Sequence, residues 1–175
     1  MEFNFVATTY RNLKKELEDE LHRLLSDFEP IEFISLSLNS VVAGRLNGDP
    51  VEASRRLYRA AYSDPWSVRR VLRFIPVQIN CRADVREMAK RASELLSALG
   101  SDETYKIEAE LRLTRLRWGE IISAIASSAK AKVDLKKPMY LLVVEILGED
   151  CGMSLIKKED LFRSLDAKLA GSYFP

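Results

Sequence analysis

The run from Met139 to Leu147 sets the strongest constraint on how this chain can fold. Met139, Tyr140, Leu141, Leu142, Val143 and Val144 follow one another without a polar break, and Ile146 and Leu147 resume after Glu145. Successive side chains on a strand point to opposite faces, so a segment apolar on both faces belongs in the interior of a covered sheet. The stretch is far shorter than the ~20 residues a membrane helix needs.

A central strand demands neighbours, and the chain offers them. Tyr105, Ile107, Ala109 and Leu111 alternate with Lys106, Glu108, Glu110 and Arg112, predicting a strand with one wet face. Trp118 to Ala129 predicts a helix lined by Ile121, Ile122, Ile125, Ala126 and Ala129. Ala83 to Leu99 predicts another, with Val85, Met88, Ala89, Ala92, Leu95, Leu96 and Leu99 inward and Gly100 closing it. Gly148 to Asp150 turns the chain into a strand over Cys151 to Ile156, and a short helix is expected from Glu159 to about Ala170.

The first 80 residues carry a different pattern. Phe3 to Thr8 reads as a strand, and Leu13, Leu17, Leu21, Leu24, Leu25 and Phe28 form one stripe of a helix over Tyr10 to Phe28, ended by Glu29-Pro30. Phe33 to Leu38 and Val41 to Leu46 read as a hairpin around Asn39-Ser40. Asp49 and Pro50 suit the cap and first turn of a helix reaching Tyr62, and Arg69 to Ile79 is a β-rich run. The order is βαββαβ. The expected fold class is therefore α+β: a ferredoxin-like unit over residues 1–80, packed side by side with a second α/β unit over 81–175 that includes the last helix.

Catalytic motifs are missing. The seven glycines are scattered, with no phosphate-binding loop and no nucleophile elbow. His22 is the one histidine, expected on the surface of the first helix without an orienting partner nearby. Cys81 and Cys151 lack CxxC spacing, so no metal site is expected, and they could form one disulfide or none. Glu145 interrupts an apolar run. It reads as a carboxylate paired with a neighbouring arginine or reaching solvent at the rim, with a catalytic role as the alternative. The expectation is a binding module, neither an enzyme nor a cofactor carrier. The acidic, strand-like N-terminus is no signal peptide, which points to the cytosol and to free thiols.

Net charge is +1, but it is unevenly spread. Residues 1–50 carry a net of −4, residues 51–137 a net of +7 and residues 138–175 a net of −2. A basic middle between acidic ends is a pointer to a polyanionic partner. Three clusters supply it. The first is Arg69, Arg70 and Arg73 with Arg82 and Arg86, the second Arg112, Arg115 and Arg117, and the third Lys130, Lys132, Lys136 and Lys137. The second and third flank one predicted helix, ~18 Å apart at ~1.5 Å rise per residue. The RNA-binding set read from these is Arg69, Arg70, Arg73, Arg112, Arg115, Arg117, Lys132, Lys136 and Lys137. Trp66 and Trp118 lie close to these charges and offer either base-stacking surfaces or core and rim packing.

Val71-Leu72-Arg73-Phe74-Ile75-Pro76 resembles the "(V/I)LRxxP" stretch of THUMP proteins. Lys132-Val133-Asp134-Leu135-Lys136-Lys137-Pro138, continuing through Ile146, is similar to the same family's "KVDLxxPxxxVxVEI" stretch. Glu120 to Ala126 stands where the family has its "EIIxAIA" helix, and Leu111-Arg112 where many members have Lys-Arg. The resemblance covers roughly residues 65–165, and the whole looks most like the stand-alone adaptors that assist tRNA cytidine acetylation. It implies tRNA as partner, with a separate RNA acetyltransferase or other tRNA-modifying enzyme performing the chemistry. It also implies an RNA contact at Arg73 and structural roles for Asp134 and Glu145. The rival expectations are a self-contained RNA-modifying enzyme and a scaffold that binds only protein.

Overall fold

A computed structural model describes residues 1–172 of the chain. Its strands and helices, in order, begin with β1 (Phe5–Thr8), α1 (Lys14–Leu24), β2 (Glu32–Ile34), β3 (Val41–Arg45), α2 (Pro50–Ser63), β4 (Arg73–Pro76) and β5 (Ile79–Arg82). There follow α3 (Val85–Leu96), β6 (Thr104–Arg112), α4 (Trp118–Ser128), β7 (Lys132–Val133), β8 (Tyr140–Leu147), β9 (Asp150–Ile156), β10 (Phe162–Arg163) and α5 (Ser164–Ser172). The fold class is α+β, with two sheets. The chain divides into a unit built from Glu2–Val77 plus the segment from Glu159 onward, and a central unit over Gln78–Lys158.

In the first unit the strand order is β10-β4-β1-β3-β2, every pair antiparallel. The β1–β4 part has the ferredoxin-like arrangement expected from βαββαβ. Phe5 and Ala7 of β1 and Phe74 of β4 meet Leu17 and Leu21 of α1 and Leu57 of α2 in one buried cluster. The Phe5 and Phe74 rings stack at 5.1 Å. Gly44 has to be glycine there: a Cβ would sit 2.6 Å from the Phe5 ring. At the start of α2, Asp49 accepts from the Val51 amide at 2.8 Å with Pro50 behind it, the cap its sequence promised.

Three departures from the sequence reading have identifiable physical reasons. The expected strand over 33–38 shortens to Glu32–Ile34, and the Leu36 carbonyl accepts from Lys14 Nζ at 3.0 Å instead of joining a ladder. The β-rich run over 69–79 is broken twice. The buried Glu20 carboxylate of α1 accepts from the Arg69, Arg70 and Val71 amides at 2.7–3.0 Å, keeping that stretch out of the sheet. Then Val77 donates to Asn4 within the first unit while Gln78 donates to Met153 within the central one, so β4 and β5 lie in different sheets. Third, the C-terminal helix expected in the second unit belongs to the first. Phe162 pairs with Phe74 along the β4 edge, and its ring and Ala167 are fully buried in that cluster. An edge strand with open hydrogen-bonding groups accepts any extended partner, however distant in sequence.

In the central unit the order is β5-β9-β8-β6-β7. β8 is the interior strand, parallel to β6 and antiparallel to β9. Helices α3 and α4 cover one face, where Met88, Ala92, Leu96, Ile121 and Ile125 pack on Leu142, Val144 and Ile146. Asp84 caps α3 by accepting from the Arg86 and Glu87 amides at 3.0 Å. That helix stops at Leu96, with Ser97 still right-handed, so Gly100 is not its closing residue; its amide binds Glu103 at 2.7 Å.

If the C-terminal segment completes the first core, Phe162→Ala should cost about 3–5 kcal/mol in urea unfolding. A loss below about 1 kcal/mol would mean that the segment is merely appended.

Candidate nucleic-acid interface

Parallel pairing of β6 with β8 runs over eight registered positions, from Tyr105↔Tyr140 to Arg112↔Leu147. Parallel neighbours require a crossover of a dozen or more residues, here built on α4. The crossover leaves β6 at its carboxyl end through 113–117 and returns to the opposite end of the sheet through 129–139. The second and third basic clusters occupy these two connections. With Lys132 level with Thr104, the clusters stand about 26 Å apart along β6 at ~3.3 Å per residue.

The returning loop is tied down by backbone contacts. Asp134 donates its amide to the Tyr105 carbonyl at 3.0 Å, and Met139 donates to Thr104 at 3.1 Å. Asp134 Oδ1 in turn accepts from the Lys136 and Lys137 amides at 2.9 and 3.0 Å. Those two amides, Lys137 first, hold the Asp134 carboxyl below its usual range. With the loop ordered in this way, Lys130, Lys132, Lys136 and Lys137 are all exposed; among the described residues the first three have no acidic partner, and Lys137 has only the nearby Asp134 carboxylate. Val133, Leu135 and Met139 between them are also exposed, at 51%, 71% and 53%.

At the other end Arg115 and Arg117 are exposed and likewise unneutralised among the described residues. Leu113 adopts a left-handed φ of 57° to start the bend. No side chain caps α4, and the Glu120 amide donates to the Arg117 carbonyl at 3.1 Å. Trp118 is half-exposed, with its indole N–H donating to the Ala109 carbonyl at 3.1 Å, which fixes the ring edge and leaves area open. A cleft of about 650 Å³ opens beside this end, lined by Arg82, Asp84, Glu87, Thr114, Arg115 and Glu149 among others.

Arg112 is placed differently from its cluster-mates. Its guanidinium bonds the wholly buried Glu145 carboxylate, with Glu110 3.7 Å away, and only 14% of its side chain is exposed. Of the readings open for Glu145, the arginine-paired one is what the fold contains. The first cluster is divided: Arg69, Arg70 and Arg73 belong to the first unit, Arg82 and Arg86 to the central one. Arg69 is exposed and donates Nε to the Trp66 carbonyl at 3.1 Å, while Arg73 is half-buried on β4. Trp66 is 77% exposed.

Two features escaped the sequence reading. Glu20 shapes the Arg69–Val71 backbone from 49 residues away, and nothing local marks it. His22 does have a partner: its Nδ1 lies 2.5 Å from Glu29, whose carboxyl is held low by that contact and by the Ile31 amide. Glu29 lies beyond the end of α1 at Leu24, so no helical spacing within the sequence marks the contact. Among the described residues there is no group of three or more His, Cys, Asp or Glu side chains placed to hold a metal. None of the described helices is long and apolar enough to cross a membrane.

No protein-family model matches the chain. It is similar to THUMP domain-containing protein 1 of mouse (Mus musculus), 29% identical over 86% of this chain and 46% of that protein. The human (Homo sapiens) protein of that name is 28% identical, over 86% and 46%. The chain thus spans about half the length of these curated relatives. Its fold is shared with TrmN from Thermus thermophilus, at a TM-score of 0.57 and 16% identity over 88% of this chain and 45% of that one. It is shared also with a 4-thiouridine synthetase solved with RNA and ATP, at a TM-score of 0.51 and 14% identity over 89% and 42%.

Removing one member of a buried ion pair strands the other. Arg112→Met alone should therefore cost about 3–5 kcal/mol in urea unfolding, and adding Glu145→Leu should recover most of it. Failure of the double variant to recover would assign the pair no such role. For Asp134 the folded pKa is depressed, so its bonds to the loop persist above the ordinary value of 3.8 and are lost as pH falls below it. The Lys136 and Lys137 amide resonances should shift only in that acid range, and be displaced at every pH in Asp134→Ala. In sequence the chain is thus similar to THUMP domain-containing proteins over 86% of its length.

Proposed function

We propose that this chain is a non-catalytic tRNA-binding module, acting in the cytosol, that presents tRNA to a separate modifying enzyme. N4-acetylcytidine formation is the modification that the family resemblance favours. One observation carries the reading: among the described residues the exposed Lys130, Lys132, Lys136, Arg115 and Arg117 around α4 form no ion pair, and Lys137 has only Asp134 nearby, while cations elsewhere, such as Arg55, Arg59 and Arg91, are paired with acids. A surface that leaves most of its cations unpaired is suited to a polyanion. The residue 78–158 unit is read as the THUMP core and the source of most contacts.

The spacing suits an RNA backbone. A span of about 26 Å between clusters matches several successive phosphates, and ordered backbone at Asp134 reduces the entropy lost on binding. Lys132, Lys136, Lys137, Arg115 and Arg117 would contact phosphates, with Arg69, Arg70 and Arg73 adding charge from the first unit. Arg112 serves in this reading by holding the end of β6 against Glu145. Trp118 offers a stacking face for an unpaired base. A second reading, a self-contained RNA-modifying enzyme, draws on the cleft between Arg82 and Arg115, which lies at the carboxyl ends of parallel strands where α/β ligands commonly sit.

Reversing Lys132, Lys136 and Lys137 to glutamate should weaken tRNA retention on filters by about 100-fold at low salt, with circular dichroism unchanged. The slope of log affinity against log salt should fall by roughly 2, about 0.7–0.9 for each lost phosphate contact. Unchanged retention would favour a protein-binding scaffold. Turnover of acetyl-CoA or S-adenosylmethionine on tRNA by the purified chain alone would establish the enzyme reading instead.

A further inference from the structure

The two cysteines, 70 positions apart in sequence, are direct partners in the central sheet. In the antiparallel pair β5–β9, Cys81 stands opposite Cys151, between the pairs Asn80↔Gly152 and Arg82↔Asp150. Opposed residues on such a ladder share a face, and their Cα atoms lie ~4.5–5.5 Å apart, within the ~4.4–6.8 Å that a disulfide spans. Both thiols are free in the structure. We propose that Cys81 and Cys151 form a thiol oxidation site, in which a peroxide-class oxidant attacks at Cys81 and Cys151 resolves the product into a cross-strand disulfide.

The two sulfurs differ in the ways these roles require. Cys81 lies on the edge strand and is partly exposed, whereas Cys151 is fully buried in the cluster beneath α3. The groups facing Cys81 are the Cys151 thiol from β9 and Glu87 and Arg91 from α3. Hydrogen bonding from Cys151 favours a thiolate at Cys81 and Arg91 assists, while burial and Glu87 oppose it; the net direction is downward. Cys151 is pushed the other way, by the same contact and by its burial, and stays protonated. A thiolate is the reactive form of cysteine, and reach by the oxidant is the second requirement.

The chemistry balances. The Cys81 thiolate attacks one peroxide oxygen, the O–O bond breaks, and Cys81 becomes a sulfenic acid as hydroxide leaves and takes a proton to form water. The Cys151 thiol then gives up its proton, its sulfur bonds to Cys81 sulfur, and the second oxygen departs as water. Two thiols and one peroxide give one disulfide and two waters, with the two sulfurs supplying both electrons. Neither step needs a group beyond the oxidant. The product would staple the edge strand to β9 immediately before α3, closing a loop of about 70 residues and restricting the unfolded chain.

The full chain, treated with an equimolar amount of hydrogen peroxide and digested without reductant, should yield a Cys81–Cys151 linked peptide two mass units below the sum of the reduced pair. Its thermal midpoint should rise by roughly 5 °C or more and return on adding dithiothreitol. In Cys151→Ala, a dimedone adduct should accumulate at Cys81. In Cys81→Ala, Cys151 should react at least about 10-fold more slowly. The wild-type crosslink is read without any variant, so a misfolded substitution leaves the test standing. Oxidation that yields only intermolecular disulfides, or sulfinic acid at Cys81 without the linked peptide, would overturn the proposal.

Discussion

The parallel pairing of β6 with β8 is the constraint from which the rest of the central unit follows. It buries β8 as an interior strand, and it obliges the chain to cross over between the two strands. The crossover has to leave at one end of the sheet and re-enter at the other. That requirement, more than any local preference, puts arginines at the carboxyl end of β6 and lysines at its amino end. Arg112 stands at the last register position of β6, and its guanidinium reaches the buried Glu145, two residues before the end of β8. A charge taken out of water there is tolerated because its counter-charge comes with it.

Opposite charges divide the remaining surface. Arg55 reaches the buried Asp160 at 2.7 Å and Arg59 reaches Glu52 at 2.6 Å, so the first unit neutralises much of its own charge. The loops around α4 do not. Exposed single ion pairs add little stability, so the difference says little about folding and more about which cations remain available to a partner. Exposed Leu135, Val133 and Met139 stand beside exposed lysines, so apolar and basic groups share this surface.

Buried carboxylates do positioning work at two places. Glu145 fixes an arginine side chain, and Glu20 fixes backbone, collecting three consecutive amides that would otherwise extend β4. An ionised oxygen accepting several backbone N–H groups satisfies donors that burial would make costly. It also turns Arg69 and Arg70 out of the sheet. The pair Cys81 and Cys151 depends on the same kind of long-range registration, since one residue of slip would place them on opposite faces.

Periodicity and composition alone determined the α+β class, the βαββαβ order at the start, the interior position of β8 and the concentration of positive charge between residues 51 and 137. Each rests on local spacing or simple counting, which the chain carries wherever it goes. The cap at Asp49 was legible for the same reason, being a bond to an amide two residues on, whereas the loop role of Asp134 was implied only by the family resemblance. Only the tertiary structure decided that the last helix joins the first unit, that β4 and β5 part into different sheets, and that Arg112 faces inward while Arg115 and Arg117 face out. It also opposed the two cysteines. These depend on strand register and on contacts between residues tens of positions apart, where many pairings satisfy the same local pattern and only the packed whole selects one.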